Sequence, residues 1–314
     1  MAKIGYIQVT RKCNQHCLFC SNPENQRQIG LSQAQIQCES LIEEGYEWVI
    51  LTGGEPTLHP QLVELVTTAR ALGLRVRMIS NGQSPNPLQL LKQLKKVGLE
   101  HLHLSLHSYK PDVQAYLTGK ADSLDCLMSS LRAAENLEIS CDINTVICAQ
   151  NSDHLDETVA WVRVQAPWVK HFVFNNLDAH MNRVLDNPHT VPNLVDLELC
   201  LHRALRLLEA ESCSFRVERL PLCFMADFAH AATETRKIVK EEGRTVHFLD
   251  EKGQVSQQDF QHRKFEACTS CRLESICAGL DCGPDGEGQA YDPNSLHAIF
   301  LDPEAIRQRI LSEP

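Results

Sequence analysis

The sequence lacks the features that would place the protein in a membrane or mark it for export. No segment approaches the ~18 unbroken apolar residues of a membrane-spanning helix, although hydrophobic residues make up 43% of the 314-residue chain. The first residues, Met1–Tyr6, show no basic and apolar signal-peptide pattern and lead directly into a predicted strand. We therefore expect a cytoplasmic protein with a sizeable core.

The sequence also lacks an excess of positive charge. Its 30 lysines and arginines stand against 40 acidic residues, which gives a net charge of −10. Nucleic-acid binding depends on a concentrated positive surface, so this balance argues against it. The basic runs Lys92–Lys96 and Arg236–Lys240 are predicted to be solvated helix faces. The chain shows no internal repeat and no low-complexity linker.

Cysteine, in contrast, is abundant, with 14 residues. Disulfides are rare in a reducing compartment, so metal-binding or catalytic roles become the main hypotheses. Two groups are tightly spaced, Cys13–Cys20 and Cys268–Cys277. Packing as a small apolar residue accounts for most of the dispersed cysteines, which are Cys38, Cys126, Cys141, Cys148, Cys200, Cys213 and Cys282.

The first two-thirds of the chain alternate strand-like and helix-like segments. The predicted strands are Ile4–Val9, Trp48–Leu51, Leu74–Ile79, His101–Leu106, Ile139–Ile147 and His171–Phe174. The predicted helices are Ser32–Glu44, Pro60–Leu72, Pro87–Val97, Ser123–Asn136 and Asp153–Val164. Such alternation indicates parallel strands joined by right-handed crossovers. We therefore predict an α/β fold, a partial (β/α)6 barrel of the TIM type, within residues 1–210.

The fourth predicted strand has two chemically different faces. Along His101–His107, leucines alternate with polar residues. The leucines would face the outer helices, while Ser105 and His107 would point into the barrel near the carboxyl end, where barrel ligands bind. Asp142 and Asn144 share a face of the next strand. A polar interior suits a substrate cavity, and the alternative is an edge strand with one solvated face.

The pattern changes in the last third of the chain. Residues 178–192 are predicted to be a loop. The elements predicted after it are a helix at Leu194–Glu209 and strands at Phe215–Leu220, Thr245–Leu249 and Gln254–Ser256. A turn at Asp250–Gly253 makes a hairpin. Residues 211–290 are predicted to form a small hairpin and helix domain, and residues 291–314 a tail with a short helix that starts at Asp302.

Cys13, Cys17 and Cys20 form the pattern Cys-x3-Cys-x2-Cys in the loop after the first strand. Three thiolates hold three irons of a cubane cluster that usually takes four cysteines. The fourth iron would keep an open position for a ligand, by the logic of an open catalytic zinc. Zinc itself is the alternative metal. It would need a fourth ligand, for which His16 is adjacent, and it would then only stabilise the loop.

Two further motifs favour the iron–sulfur alternative. Gly53-Gly54-Glu55-Pro56 follows the second strand and Ser80-Asn81-Gly82 follows the third, while aromatic Phe19 precedes the last cysteine of the first group. Together with the cysteine loop, these motifs resemble the radical S-adenosylmethionine (SAM) superfamily over roughly residues 4–177. Each motif lies at the carboxyl end of a predicted strand, so we expect all of them to converge on one site.

The resemblance implies a 4Fe–4S cluster ligated by Cys13, Cys17 and Cys20, with the methionine part of SAM on the open iron. Reduction, by a protein such as flavodoxin or ferredoxin, would split the S–C5′ bond. The resulting 5′-deoxyadenosyl radical would take a hydrogen atom from the substrate. The SAM-binding residues that the resemblance implies are Phe19, Gly53, Gly54, Glu55, Ser80, Asn81, Ser105 and Asn144.

The second group, Cys268, Cys271 and Cys277, has the pattern Cys-x2-Cys-x5-Cys, and Cys223 upstream offers a fourth thiolate. A zinc ribbon and an iron–sulfur cluster explain this cysteine spacing equally well. The region resembles the twitch and SPASM extensions of radical SAM enzymes, whose signature includes Cys-x2-Cys-x5-Cys-x3-Cys after a small hairpin. Here the last gap is one residue longer, which leaves Cys282 as a reserve ligand.

The resemblance therefore implies one auxiliary 4Fe–4S cluster, ligated by Cys223, Cys268, Cys271 and Cys277. If Cys223 stays free, the cluster has an open iron for substrate, or Cys223 donates a hydrogen atom; Cys213 is a lesser candidate for that donor role. The cluster would accept an electron, anchor the substrate or only order the extension, because metal binding supplies folding energy to small domains.

Enzymes with such extensions act mainly on ribosomal peptides, so a peptide maturase that forms a crosslink, an epimer or an excised fragment is the leading hypothesis. Only three residues precede the first strand, so we expect either a separate leader-binding protein or weak leader contacts to the precursor peptide. The alternatives are a small-molecule dehydrogenase or mutase acting on a sugar or nucleoside, and a non-catalytic iron–sulfur protein. The intact Gly-Gly-Glu-Pro element argues against the last.

Overall fold

The computed structural model describes residues 3–260, 262–283 and 290–313. Within these ranges nine strands form a single sheet. They are Ile4–Thr10 (β1), Trp48–Gly53 (β2), Arg75–Ser80 (β3), Leu99–Ser105 (β4), Ser140–Ile147 (β5), His171–Asn176 (β6), Ser214–Glu218 (β7), Arg244–His247 (β8) and Gln254–Gln257 (β9). Their order is β7-β6-β5-β4-β3-β2-β1-β8-β9, and only the β8–β9 pair is antiparallel among the described strand pairs.

Helices connect the parallel strands. They are Leu31–Glu43 (α1), Leu62–Ala71 (α2), Pro87–Lys96 (α3), Pro111–Thr118 (α4), Ser123–Asn136 (α5), Leu155–Gln165 (α6), Arg183–Asp186 (α7), Leu194–Ala210 (α8), Thr233–Lys240 (α9) and Pro303–Ser312 (α10). Short 3-10 turns occur at Pro56–Leu58, Pro188–Thr190, Leu222–Phe224, Ala226–Ala231, Glu266–Ser270 and Pro293–Ser295. None of the helices in the described ranges is long and apolar enough to span a bilayer.

The predicted α/β fold and partial barrel are confirmed, since the mostly parallel sheet stays open between its edge strands β7 and β9. The edge-strand alternative for β4 is wrong, because β4 pairs with β3 on one side and β5 on the other. Leu102 and Leu104 are buried in the core that β4 shares with helix residues such as Leu94 and Leu127. This alternation leaves the polar side chains of β4 to the barrel interior.

The last third of the chain is joined to the barrel at both edges of its sheet. β7 pairs in parallel with β6, Phe172 lying opposite Phe215. The predicted hairpin is present as β8–β9, and β8 pairs in parallel with β1, Tyr6 lying opposite Val246. Residues 214–218 thus continue the barrel sheet, and the division at residue 210 stays a prediction.

The two basic runs behave differently. Lys92, Lys95 and Lys96 are exposed on α3, as predicted. The prediction for Arg236 is wrong, because its side chain is buried and its Nη1 lies 2.7 Å from Glu313 Oε2 beside α10. α10 starts where the sequence predicts, with Asp302 Oδ1 accepting from Glu304 N at 3.0 Å. Packing of this terminal helix therefore buries an arginine that the sequence pattern places in solvent.

Candidate functional site

A cavity of about 250 Å³ opens at the carboxyl ends of β1 to β5. The sequence-predicted residues that line it are Cys13, Cys17, Phe19, Cys20, Gly53, Gly54, Ser80, Asn81, Ser105 and Asn144. Parallel strands end at a common edge, so loops that are far apart in sequence meet there. The structure thus brings the cysteine loop, the glycine turn and the polar strand ends to one place.

Backbone hydrogen bonds fix the cysteine loop against the barrel. His16 N donates to Thr118 O at 2.9 Å and Leu18 N donates to Leu117 O at 3.0 Å, at the end of α4. On the other side, Arg11 N donates to Arg27 O at 2.8 Å. Because these bonds flank the cysteines, the loop holds their side chains in the cavity wall without help from a disulfide.

The protein environment disfavours the thiolate form of the three cysteines in the first group. Burial raises the pKa of Cys13 to about 11. Burial, and then the charges of the neighbouring cysteines, raise the pKa of Cys17 as well. A bound cation offsets the free-energy cost of ionising these buried thiols, since the thiolate is the form that binds metal. Three soft sulfur donors in one wall therefore fit an iron–sulfur cluster with an open side.

His16, the ligand that a zinc site would need, faces away from the thiols. Its side chain is 65% exposed, and its Nδ1 lies 2.7 Å from Glu24 Oε1. His16 is also absent from the described lining of the cavity. The zinc alternative for the first group thus loses its adjacent fourth ligand.

The glycines after β2 allow a close approach of two chain segments. Gly54 N donates to Thr10 O at 2.6 Å. A Cβ on Gly54 would lie 2.2 Å from Lys12 O, and a Cβ on Gly53, whose φ is +138°, would lie 2.0 Å from Thr10 O. Both clashes are with backbone, which cannot yield, so only glycine fits at these positions.

Glu55 supports the site from behind and does not line it. Its side chain is fully buried and accepts hydrogen bonds from Thr57 N (3.0 Å), Ser80 Oγ (2.9 Å) and Asn81 N (2.7 Å). Burial raises the pKa of the carboxyl, while these donors oppose that shift. The side chain therefore joins the glycine turn to the Ser80–Gly82 turn.

His107 is a cavity residue that the predicted set of SAM-binding residues leaves out. Its ring meets Phe19 edge to face, with centroids 4.7 Å apart. Burial lowers the pKa of His107 to about 4, so the ring is neutral near pH 7. Nδ1 accepts from Val146 N at 3.2 Å, which leaves the proton on Nε2. The signal for its role was its place on the same strand face as Ser105.

The second cysteine group forms its own pocket. Cys223, from the turn Leu222–Phe224, lines it with Cys268, Cys271 and Cys277. The apolar residues in the same lining are Pro221, Leu222, Leu280 and Leu296. The structure therefore brings together all four cysteines that the sequence groups as auxiliary ligands.

Backbone N–H groups point at the sulfurs of this pocket. Gly279 N lies 3.3 Å from Cys277 Sγ, and Ile299 N lies 3.4 Å from Cys271 Sγ. Lys264 Nζ contacts Cys277 O and Glu274 O. Burial raises the pKa of Cys223 to about 12. Such donors stabilise thiolates bound to a metal, so the donor set fits a metal group with four sulfur ligands.

Cys282, the predicted reserve ligand, and Cys213, the lesser candidate for a hydrogen-atom donor, lie outside both pockets. Cys282 and Cys213 are each 5% exposed, and neither is found in the described linings of the two cysteine pockets. Cys213 Sγ contacts Glu211 O at 3.7 Å, between α8 and β7. Both behave as packing residues, as most of the dispersed cysteines were predicted to do.

Comparison with known proteins gives a family match over the barrel. Residues 7–162 match the family model described as the Radical SAM superfamily. A PqqA peptide cyclase from Xanthomonas campestris is 30% identical over 158 residues, which are 49% of this chain and 42% of the relative. A probable GTP 3′,8-cyclase from Thermococcus kodakarensis is 33% identical over 133 residues, 41% of this chain and 42% of the relative. The chain thus matches less than half the length of these relatives.

Solved structures share the fold over nearly the whole chain. Streptococcus suis SuiB bound to S-adenosylmethionine superposes with a TM-score of 0.66 at 16% identity, covering 90% of this chain and 73% of SuiB. SuiB bound to its precursor peptide SuiA superposes with a TM-score of 0.65 at 15% identity, covering 90% of this chain and 72% of SuiB. At such identities the likeness is one of fold.

Proposed function

Because the chain belongs to the radical SAM superfamily and is an enzyme of that class, we propose that it binds a 4Fe–4S cluster through Cys13, Cys17 and Cys20 and holds S-adenosylmethionine in the adjoining cavity. The single observation that carries this proposal is the shared lining: three cysteines, two glycines and polar strand ends around one space. When bound, the cluster and S-adenosylmethionine supply reductive cleavage to a 5′-deoxyadenosyl radical that abstracts a hydrogen atom.

The chain's own residues bind and orient the cofactor. Gly53 and Gly54 present bare backbone to its amino group, because no side chain intervenes. Phe19 offers an aromatic face for adenine. Neutral His107, with its proton on Nε2, offers a hydrogen-bond donor beside that face. Ser105 and Asn144 supply further polar contacts from the ends of β4 and β5.

We also assign an auxiliary 4Fe–4S cluster to Cys223, Cys268, Cys271 and Cys277. The support is that four thiols and two sulfur-directed N–H groups share one pocket. A complete set of ligands leaves no open iron, so this cluster transfers electrons or orders the extension. On this assignment Cys223 is not free to donate a hydrogen atom, and Cys213 is buried outside the lining of the S-adenosylmethionine cavity.

For the substrate we propose a ribosomally made peptide, modified by crosslinking, epimerisation or excision. The support is the match to a peptide cyclase, together with a cysteine-bearing extension after the barrel. A precursor peptide and a reductant protein of the flavodoxin or ferredoxin type would then be the partners. The match to a probable GTP 3′,8-cyclase favours a nucleotide substrate as the second candidate.

The first experiment tests cleavage of S-adenosylmethionine. Anaerobically reconstituted protein, reduced with dithionite, should release 5′-deoxyadenosine, and Cys20→Ala should not. Cys126→Ala is the matched control, because Cys126 lies on α5 and contacts Lys120 and Asp122 away from both pockets. Absence of 5′-deoxyadenosine from the wild type, or equal release by Cys20→Ala, would refute the proposal.

The second experiment separates the two substrate classes. Candidate precursor peptides encoded beside the gene, and separately GTP, are supplied in deuterated form to the reduced holoenzyme. Deuterium in 5′-deoxyadenosine identifies the molecule that gives up a hydrogen atom. Transfer from a peptide, with a change in its mass, supports the peptide proposal, whereas transfer from GTP alone supports the second candidate.

A further inference from the structure

A third cluster of metal-ligating side-chain types lies inside the barrel, apart from the two cysteine groups. His101 and His103 come from β4 and Asp142 from β5. His101 Nε2 lies 3.0 Å and His103 Nδ1 lies 3.1 Å from the same atom, Asp142 Oδ2. The two rings meet edge to face, with centroids 4.6 Å apart. Three ligand-type atoms from two adjacent strands thus converge on one point.

The cluster sits below the cofactor cavity. Strand register places His103 opposite Asp142 and Ser105 opposite Asn144. Ser105 and Asn144 line the cavity, and each is one inward position further along its strand. Two residues along a strand span ~7 Å. We call His101, His103 and Asp142 the barrel-floor cluster, since they close the polar interior from the amino-terminal side.

Ser140 is a hydrogen-bond partner for one ring nitrogen of His101. Ser140 Oγ lies 3.0 Å from Glu100 O and 2.7 Å from His101 Nδ1. With the hydroxyl proton donated to the carbonyl, which can only accept, Ser140 accepts from His101 Nδ1–H, and Nε2 of the neutral ring carries a lone pair. That lone pair would lie 3.0 Å from Asp142 Oδ2, a separation that a cation between the two atoms suits.

The contacts are also poorly aligned for ordinary hydrogen bonds. Nε2 of His101 and Nε2 of His103 are buried and have no hydrogen-bond partner among the described residues. The side chains are 14%, 13% and 8% exposed for His101, His103 and Asp142. Buried polar atoms of this kind normally have partners, so the bent His101–Asp142 contact suits a bridging ion better than a linear N–H donor.

The chemistry of the donor atoms suits a divalent transition metal. Two imidazole nitrogens and one carboxylate oxygen lie within reach of one point. Nitrogen and oxygen donors of these types are the ligands that zinc and its neighbours prefer.

We propose that His101 Nε2, His103 Nδ1 and Asp142 Oδ2 bind one zinc-type ion at the barrel floor. The donor atoms are 3.0 and 3.1 Å apart, close to the ~3.3 Å edge of a tetrahedron with ~2.0 Å metal–ligand bonds. His171 on β6 lies opposite Asp142 in the β5–β6 register, which makes it the candidate fourth ligand. Its Nδ1 contacts Ser214 Oγ at 2.7 Å, as Nδ1 of His101 contacts Ser140 Oγ.

The positive charge of Arg77 would repel an ion bound at this cluster. It lies opposite His101 in the β3–β4 register, and its guanidinium stacks 4.1 Å from the ring centroid of Trp48. Burial lowers the pKa of Arg77, while Asp142 opposes that shift. The site therefore needs its full set of imidazole ligands to retain a divalent ion beside a positive neighbour, and loss of one ligand should release it.

The test uses the anaerobically reconstituted holoenzyme, in which iron fills the cysteine sites. The protein is equilibrated with Zn²⁺ and passed through a chelating resin. Metal analysis and zinc X-ray absorption then give the amount retained and its ligand shell. We expect one zinc per chain with nitrogen and oxygen ligands at ~2.0 Å and no sulfur at ~2.3 Å. No retained zinc, or a shell that contains sulfur, would overturn the proposal.

Two variants locate the zinc. His103→Ala should lower zinc affinity by at least about tenfold, the effect common for loss of a supporting residue at a metal site, with the iron content unchanged. His189→Ala is the matched control, because His189 pairs with Tyr116 at the surface. Equal zinc in His103→Ala and the wild type would contradict the assignment. If His103→Ala does not fold, the ligand shell of the wild type decides the question.

Discussion

The two cysteine groups differ in how completely the protein surrounds them. The first group offers three thiols as one wall of a cavity of about 250 Å³, and the other walls are glycine backbone and polar strand ends. The second group offers four thiols in a pocket lined also by prolyl and leucyl side chains and by Lys264, Glu274 and His297. An incomplete set of thiol ligands beside polar strand ends suits binding of a reactant, whereas a complete set suits a cluster that only exchanges electrons or holds the fold.

The groups also differ in what positions them. The first lies in a loop fixed to the barrel by backbone hydrogen bonds to Leu117 and Thr118. The second is assembled from short 3-10 turns at Leu222–Phe224 and Glu266–Ser270. Turns of this kind have little stability of their own, so we infer that metal binding supplies much of the order of the second region.

Removing one ligand from each group should separate cleavage of S-adenosylmethionine from substrate turnover. Cys20→Ala should lower 5′-deoxyadenosine formation by at least about 100-fold, since even supporting residues at metal sites often contribute that much. Cys268→Ala should keep 5′-deoxyadenosine formation within about tenfold of the wild type while losing the substrate product. Both rates are measured by chromatography of the same reaction. Equal loss of cleavage in the two variants would remove the distinction between the groups.

Gly54→Ala should damage the first group alone. The added Cβ would lie 2.2 Å from Lys12 O, so the β2 turn must move away from the cysteine loop. A shift of this size commonly lowers activity by about 10- to 100-fold, and 5′-deoxyadenosine release should fall accordingly. Gly30→Ala is the control, because nothing lies within 4 Å of its Cβ position. Unchanged release by Gly54→Ala would show that the close approach is dispensable.

Much of this comparison is visible in the sequence. Strand–helix alternation predicts β1 to β6 within a few residues, because each strand of a parallel sheet is a short apolar run between helices. Cysteine spacing assigns the seven predicted ligands to two groups, and in the structure each group lines its own pocket. The edge position of β7 was missed, because the alternation of Phe215 and Val217 identifies a strand but not its neighbour. α4 was missed because it is short and buries the polar Gln114.

Roles that depend on several elements at once could not be predicted. Glu55 belongs to a glycine motif in the sequence, yet its side chain accepts hydrogen bonds from Thr57, Ser80 and Asn81 behind the cavity. His101 and Asp142 each appear as polar residues on separate strands. Only the register of β4 against β5 brings them to a common point. Burial and strand register are properties of the folded chain, so they cannot be predicted from the residue pattern of one segment.

Lys264 should influence the midpoint potential of a cluster at the second cysteine group and not that of a cluster at the first. Its ammonium contacts the carbonyls of Cys277 and Glu274, and its charge favours the reduced, more negative cluster. Lys264→Met should therefore lower the midpoint potential of the auxiliary cluster by roughly 1 kcal/mol, or ~40 mV for one electron. Redox titration followed by electron paramagnetic resonance checks this, with exposed Lys252→Met as the control. A shift in the first cluster instead would contradict the separation of the two sites.

The smallest expected effect concerns acid sensitivity at the first cavity. Burial lowers the pKa of His107 from 6.5 to about 4, so between these values the unfolded chain binds more protons than the folded one. The stability from this residue is present above pH 6.5 and is lost as the pH falls toward 4. His107→Asn keeps an acceptor for Val146 N. Between pH 7.5 and pH 5.5 the free energy of unfolding of this variant should fall by roughly 1 kcal/mol less than that of the wild type. Thermal unfolding of both proteins at the two pH values measures it, and parallel curves would show that the ring is not buried in a neutral state.

Adding S-adenosylmethionine to proteins that keep only one cluster shows whether the first group is open to a ligand and the second is closed. Electron paramagnetic resonance of the reduced cluster is recorded before and after the addition. In Cys268→Ala/Cys271→Ala, which keeps the first cluster, we expect a clear change of the spectrum. In Cys13→Ala/Cys17→Ala/Cys20→Ala, which keeps the second, we expect no change. A response of the second cluster, or none from the first, would show that the two groups do not differ in this way.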